Sequence, residues 1–231
     1  MSGGRRLSIV IPTLDAAARL PALLSDLRKA PFALEIILVD GGSRDDTCRL
    51  AVEAGCRLLT TEAGRGRQLA RGAEAASGDW LLFLHADSRL PQEWHQAVAR
   101  FMAERPAGEV AAYFRLALDS PLAAARRVER LAAWRARCFA LPYGDQGLLI
   151  SRGLYDKVGG YPRWPLMEDV ALIRRLGRAR LEALPATILT SAAHYERDGW
   201  WRRPLRNLSC LVLYFLGASP TWIARRYYRS R

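Results

Sequence analysis

Residues 7–15 read Leu-Ser-Ile-Val-Ile-Pro-Thr-Leu-Asp, and residues 36–47 read Ile-Ile-Leu-Val-Asp-Gly-Gly-Ser-Arg-Asp-Asp-Thr. Each opens with a short apolar run that stops at Pro12 or at Asp40-Gly41, the pattern of a buried strand. Between them Leu20, Leu23, Leu24 and Leu27 recur at helical spacing. After the second run, Ser43 reads as a helix N-cap with Asp45 and Asp46 in the first turn, and Gly55 closes that helix. Residues 57–60 form a third strand pattern, 67–76 an Ala-rich helix stopping near Gly78, and 80–84 a fourth strand. A helix over 91–104 follows, with Pro91 in its first turn. Strands alternating with helices predict an α/β domain with an open, mostly parallel sheet flanked by helices. Ligands of such sheets bind beyond the carboxyl ends of the strands. The turns at 12–15, 40–43, 61–67 and 85–87 are therefore the places to look.

The second half is less regular. Residues 109–118 and 147–150 read as strands, 121–139 as a basic helix and 168–176 as a short helix. An apolar run at 207–216 is flanked by Trp200, Trp201, Arg202, Arg203 and Arg206, then by Trp222, Arg225, Arg226, Tyr227 and Tyr228. A chain of 231 residues, half of them apolar, suits one domain. We expect that domain at 1–199, with 200–231 as a helical extension that is not independent. Residues 1–6 are polar and the apolar run after them ends early, so no secretory leader is expected. Cys48, Cys56, Cys138 and Cys210 are scattered and read as reduced thiols of a cytoplasmic protein. The net charge of +12 is almost all arginine, since Lys29 and Lys157 are the only lysines. It fits compositional bias as well as an anionic partner.

Four motifs carry candidate chemistry, and each has a plainer reading beside it. Asp40, followed by two glycines, can accept hydrogen bonds from a nucleoside or can cap its own turn. Gly64-Arg65-Gly66-Arg67 can hold a phosphate at a helix N-terminus or simply cap it. Asp87, in His85-Ala86-Asp87, can bind Mg²⁺ or Mn²⁺ bridged to a diphosphate, or can cap the next helix. Glu168-Asp169 can supply a general base, or two acids favoured at a helix N-terminus.

Taken together, residues 7–15, 36–47, 78–87 and Glu168-Asp169 resemble, in order and spacing, the family 2 glycosyltransferases of the GT-A fold. His-Ala-Asp, with Gly144-Asp145-Gln146-Gly147, is similar to a small bacterial subgroup. The resemblance implies transfer of a sugar from a nucleotide-diphosphate donor, UDP favoured and GDP possible, to a hydroxyl acceptor with inversion. It implies that Thr13, Asp15 and above all Asp40 contact the nucleoside, and that Arg67 lies near the base or diphosphate. Asp87 would bind the metal, Asp169 would be the base with Glu168 beside it, and Asp145 and Gln146 would line the sugar or acceptor side. The family's Asp-x-Asp motif begins here with His85, a poorer ligand for a hard cation, so contact with the donor is its alternative role. His194 reads either as a further metal ligand or as a structural hydrogen-bonder.

The run at 207–216 is too short to cross a bilayer, which takes about 20 apolar residues. It suits either an interfacial helix on the inner membrane face, which would fit a lipid-linked acceptor, or a helix packed on protein. Two other functions compete with the glycosyltransferase reading. A sugar-nucleotide nucleotidyltransferase calls for a Gly-rich basic loop after the first strand, and Pro12-Thr13-Leu14-Asp15 has neither. A nucleic-acid-binding protein accounts for the charge but leaves Asp40, Asp87 and Asp169 unexplained.

Overall fold

The structure, a computed structural model, describes residues 6–105 and 108–229. Most of the polar opening at 1–6 and the last two residues of the 200–231 extension lie outside the described residues.

The first half builds β1 (Leu7–Thr13), α1 (Leu20–Leu27), β2 (Leu34–Asp40), α2 (Thr47–Glu53), β3 (Arg57–Thr60), α3 (Arg65–Ala75) and β4 (Trp80–Phe83). β1 lies between β2 and β4, and β3 flanks β2, all parallel. Alternation along each strand divides the apolar runs between two layers. Ile9, Ile11, Trp80 and Leu82 pack with Leu20, Leu23 and Leu27 on one side. Val10, Ile37, Val39, Leu81 and Phe83 pack with Leu69 and Ala73 on the other. Both faces are covered, which is why the strands read as near-continuous apolar runs. Pro12 is tolerated because β4 stops pairing with β1 at Val10–Phe83, so the N–H it lacks has no ladder partner to lose. Gly72 lets α3 lie against β1 and β2, since a Cβ there would collide with Val10 and meet Val39 at 3.0 Å.

The second half adds β5 (Ser88–Arg89), α4 (Trp94–Glu104), β6 (Ala111–Asp119), α5 (Ala123–Phe139), β7 (Leu148–Ser151), α6 (Arg152–Lys157) and α7 (Glu168–Leu176). It ends with β8 (Leu181–Ser191), α8 (Ala193–Asp198), α9 (Arg202–Phe215) and α10 (Pro220–Arg229). Among the described residues the strands form one sheet in the order β3-β2-β1-β4-β7-β6-β8-β5. β7 runs antiparallel to β4 and β6, and β5 antiparallel to β8, while β6 and β8 are parallel. The α/β fold is as expected, with its parallel part at β3-β2-β1-β4 and a mixed sheet beyond. α9 and α10 pack back on the body, where Cys210, Ile223 and Tyr227 cluster with Leu166 and Met167.

Some local expectations are corrected. Ser43 is not a helix cap: α2 begins only at Thr47, with Asp46 in the N-cap position and no side-chain cap bond. Asp45 and Asp46 thus precede the first turn. Pro91 also lies ahead of its helix, which starts at Trp94. β8 is a long strand that no alternation announces, because Pro185 interrupts it. The register with β6 shifts there, between Tyr113–Ala183 and Arg115–Thr187, and this bulge takes the proline out of the ladder.

Candidate active site

A cleft of about 880 Å³ opens beyond the carboxyl ends of β1 and β4. β1 delivers Thr13 and the turn to Asp15, and β4 delivers His85 and Asp87. The start of α3 contributes Arg65 and Gln68, and the start of α7 contributes Asp169.

Asp40 ends β2 and is buried. Its Oδ1 accepts from Thr13 Oγ1 at 3.1 Å and Ser43 Oγ at 2.5 Å, and its Oδ2 from the amides of Gly42 and Ser43, both at 2.8 Å. This is the turn-capping arrangement. Asp40 shapes the floor under Thr13 and is not among the residues lining the cleft. Burial by itself raises its pKa, but the hydrogen bonds from Ser43, Gly42 and Thr13 outweigh it and hold the carboxyl below the usual range. Asp15 does reach the cleft, from a left-handed backbone at φ 49°. Its N–H donates to Ser43 Oγ at 2.9 Å, and its Oδ1 accepts from the Arg44 amide at 2.8 Å. Gln68 ties α3 to both strand ends by donating to the carbonyls of Thr13 and Val39 at 2.8 Å.

Opposite this floor, Met167 at φ 66° turns the chain into α7, which opens with Glu168 and Asp169. Asp169 Oδ2 accepts from the Gly144 amide at 2.9 Å and from Arg65 Nη2 at 3.3 Å. Glu168 is fully buried, with Oε1 paired to Arg65 Nε. Its Oε2 has no hydrogen-bond partner among the described residues. Burial pushes the Glu168 carboxyl up, and the Arg65 charge pulls it back only in part. Arg65 Nη1 also lies 3.3 Å from His85 Nε2. A guanidinium only donates, so Nε2 accepts and the His85 proton sits on Nδ1. Burial, then the Arg65 cation, lower the His85 pKa below its usual value, leaving the ring neutral at neutral pH.

The arginine in the cleft is therefore Arg65. Arg67 turns outward and pairs with the exposed Glu62. Gly66 between them permits the close approach of α3 to the segment leading into α7. A Cβ there would collide with the Pro162 carbonyl and meet the Trp164 carbonyl at 2.6 Å and Glu168 Cβ at 2.9 Å.

Asp87 lies at the cleft wall, 3.7 Å from Arg19 Nη1. Among the described residues, no three His, Cys, Asp or Glu side chains are grouped to enclose a metal. Asp87 alone fits a hard cation that draws its other oxygens from a diphosphate and water. His85 does not extend that set, because its Nε2 faces a cation. His194 lines the cleft from α8, with Nδ1 3.2 Å from Arg197 Nη2. Asp145 also lines the cleft, and its Oδ1 is buried without a partner. Gln146 instead faces inward. It donates to the Phe114 carbonyl at 3.1 Å and accepts from the Tyr143 amide at 3.3 Å, bracing the turn that carries Gly144.

Sequence reasoning missed Arg19, Gln68 and the Gly144 amide. The glycines on either side of Arg65 were a visible signal for that residue; nothing in the sequence marks Arg19.

Residues 8–142 match the pattern of glycosyl transferase family 2, over half of the 231-residue chain. Glu168 and Asp169 fall beyond that segment. A "PGL/p-HBAD biosynthesis glycosyltransferase" of Mycobacterium tuberculosis is 35 % identical over 166 residues, covering 67 % of this chain. The chain spans 62 % of that relative's length. Among solved structures, residues 1–349 of TarS from S. aureus superpose with a TM-score of 0.63 at 17 % identity, covering 83 % of this chain and 62 % of that one. Glucosyl-3-phosphoglycerate synthase from M. tuberculosis, crystallised with Mn²⁺, UDP and glucosyl-3-phosphoglycerate, gives 0.58 at 20 % identity, covering 81 % and 71 %. These likenesses establish the GT-A fold, and the matched segment establishes the kinship: the chain belongs to glycosyl transferase family 2.

Proposed function

We propose that this protein transfers a sugar from a nucleoside diphosphate donor to a hydroxyl acceptor, inverting the anomeric carbon. The observation that carries the reading is Asp169, held in the cleft by the Gly144 amide and Arg65 and facing the strand ends that bear Thr13, Asp15 and Asp87. The nucleoside lies over the floor made by Thr13 and Asp15, with Asp40 fixing that floor from beneath. UDP is the favoured carrier, since the glucosyl-3-phosphoglycerate synthase structure holds UDP with Mn²⁺; GDP is the alternative. A divalent cation, Mg²⁺ or Mn²⁺, would be held by Asp87 and supplies neutralisation of the charge on the departing diphosphate. Asp145, on the cleft wall, is assigned to the sugar or acceptor side.

In the transfer step, Asp169 takes the proton of the acceptor hydroxyl. The acceptor oxygen bonds to the anomeric carbon from the face opposite the diphosphate, and the carbon–diphosphate bond breaks with its electron pair leaving on the nucleotide. Glu168 is a positioning residue: buried beneath the cleft, it holds Arg65, which bonds Asp169 from within the cleft. The reading extends to a lipid-linked acceptor met at the cytoplasmic face of a membrane. No helix among the described residues is long and apolar enough to cross one.

The test is a thermal-shift screen with UDP, GDP and CDP, with and without Mn²⁺, on the wild type and on Asp169→Asn. A nucleotide that binds the folded state raises the melting temperature by mass action. The variant is expected to keep that shift and to lose at least about 100-fold in turnover, the scale of general-base catalysis. Near-normal turnover by Asp169→Asn removes the base from the scheme.

A further inference from the structure

α9 turns its apolar stripe away from the protein. Trp201, just ahead of it, and Leu205, Leu208, Val212, Phe215 and Leu216 are 47–78 % exposed. At 3.6 residues per turn these positions share an arc of about 100°. The other side of the helix is occupied: Arg203, Asn207 and Cys210 line the cleft. A helix packed on a water-soluble domain normally shows the reverse, with its apolar stripe inward. α5 lies alongside and adds exposed Leu131, Trp134 and Phe139. A groove of about 160 Å³, walled by Val128 and Leu131 on one side and Trp201, Leu205 and Leu208 on the other, joins the two helices. So continuous a patch is more than the scattered apolar residues of an ordinary surface.

Charge decides what covers it. Arg203 and Arg206 are spent on Asp198, but Arg202, Arg225 and Arg226 are exposed, and residues 199–229 hold no Asp or Glu. α5 carries Arg126, Arg127, Arg130, Arg135 and Arg137 against Glu129 alone. A second copy of the same face would meet like charge. An anionic lipid surface is complementary to it, takes up the apolar stripe and suits tryptophans such as Trp201 and Trp222 at headgroup depth.

We propose that the α5–α9 face docks on an anionic bilayer, with α9 lying in the headgroup region and its inner side walling the cleft. An acceptor carried on a lipid then reaches Asp169 along that inner side. The acceptor half of this proposal rests on the glycosyltransferase reading; the docking half does not.

The full chain is floated with vesicles of phosphatidylglycerol and phosphatidylcholine, and with phosphatidylcholine alone, at low and high salt. Wild type is expected to float with the anionic vesicles at low salt and much less with the neutral ones. Leu205→Glu with Leu208→Glu, outside the cleft, should cut anionic-vesicle binding about tenfold or more while the UDP thermal shift is unchanged. Trp201→Ser with Phe215→Ser is the second pair if the first fails to fold. Wild type remaining with the unbound protein, or both pairs floating like wild type, overturns the docking. So does a dimer that the substitutions split with no change in flotation. A retained UDP shift beside failed flotation sinks the docking and spares the activity; flotation with no nucleotide shift does the opposite.

Discussion

Replacing Arg65 by methionine tests the centre of the site. The side chain keeps a similar length and loses every donor, so Glu168, fully buried, is left without its ion-pair partner. Removing one partner of a buried pair costs about 3–5 kcal/mol. The Arg65 side chain is 33 % exposed, so water can enter the vacated space and the lower end, about 3 kcal/mol, applies. For a domain of this size each kcal/mol moves the melting temperature by about 2–4 °C, which gives a fall of about 6–12 °C. The deficit also depends on pH. Glu168 already sits above its ordinary value of 4.5, and losing Arg65 raises it further. Between the unfolded and the folded pKa the folded state binds more protons, so stability falls as pH rises through that window. The variant should therefore be closest to wild type at acid pH and fall further behind toward pH 8. Adding Glu168→Gln should recover most of the loss. Urea unfolding of the wild type, the Arg65→Met variant and the double variant at pH 5 and pH 8 measures this. An equal deficit at both pH values, or no recovery in the double variant, refutes the argument that a buried charge is left behind.

Gly66→Ala should push the segment at 162–168 away from α3, at an overpacking cost of about 1–3 kcal/mol, and lower turnover more than nucleotide affinity. Paired thermal-shift and turnover measurements distinguish this from a uniform loss. Asp87→Ala should abolish the strengthening of nucleotide binding by Mn²⁺ while leaving metal-free binding nearly intact, read by titration with and without the ion. Asp40→Ala removes the acceptor of four hydrogen bonds. It should lower stability by about 1–3 kcal/mol at pH 7 and weaken UMP as well as UDP. Because the folded Asp40 carboxyl is held below its unfolded value, the wild type's advantage is present above the unfolded pKa and fades as pH falls through the folded one.

The parallel part of the sheet was legible because its strands are covered on both faces, so Ile9–Ile11 and Ile37–Val39 show unbroken apolar runs. β8 was not, because a bulge at Pro185 interrupts the pattern that would have announced it. The site divides in the same way. Asp15, Asp87, Asp145 and Asp169, each singled out by a motif, line the cleft. The choice between Arg65 and Arg67 needs the rotational phase of α3: two residues apart on a helix, they point to nearly opposite sides, and only one can face the cleft. Gln146 and Asp40 sit beside the site in sequence, but their polar atoms are spent inside the protein, Asp40 on Thr13, Gly42 and Ser43 and Gln146 on Phe114 and Tyr143. Only three-dimensional hydrogen bonding shows that.

The span of the contacts has a consequence for how the protein acquires its activity. The floor joins residues 27 apart, as in Thr13–Asp40. The carboxylate pair is fixed across 103 and 104 residues, through Arg65 to Glu168 and Asp169. Contacts between distant parts of a chain carry a larger loop-closure entropy and form late. A molecule emerging from denaturant would thus shape the Thr13–Asp40 floor before Asp169 is aimed, so recovery of turnover lags recovery of compactness.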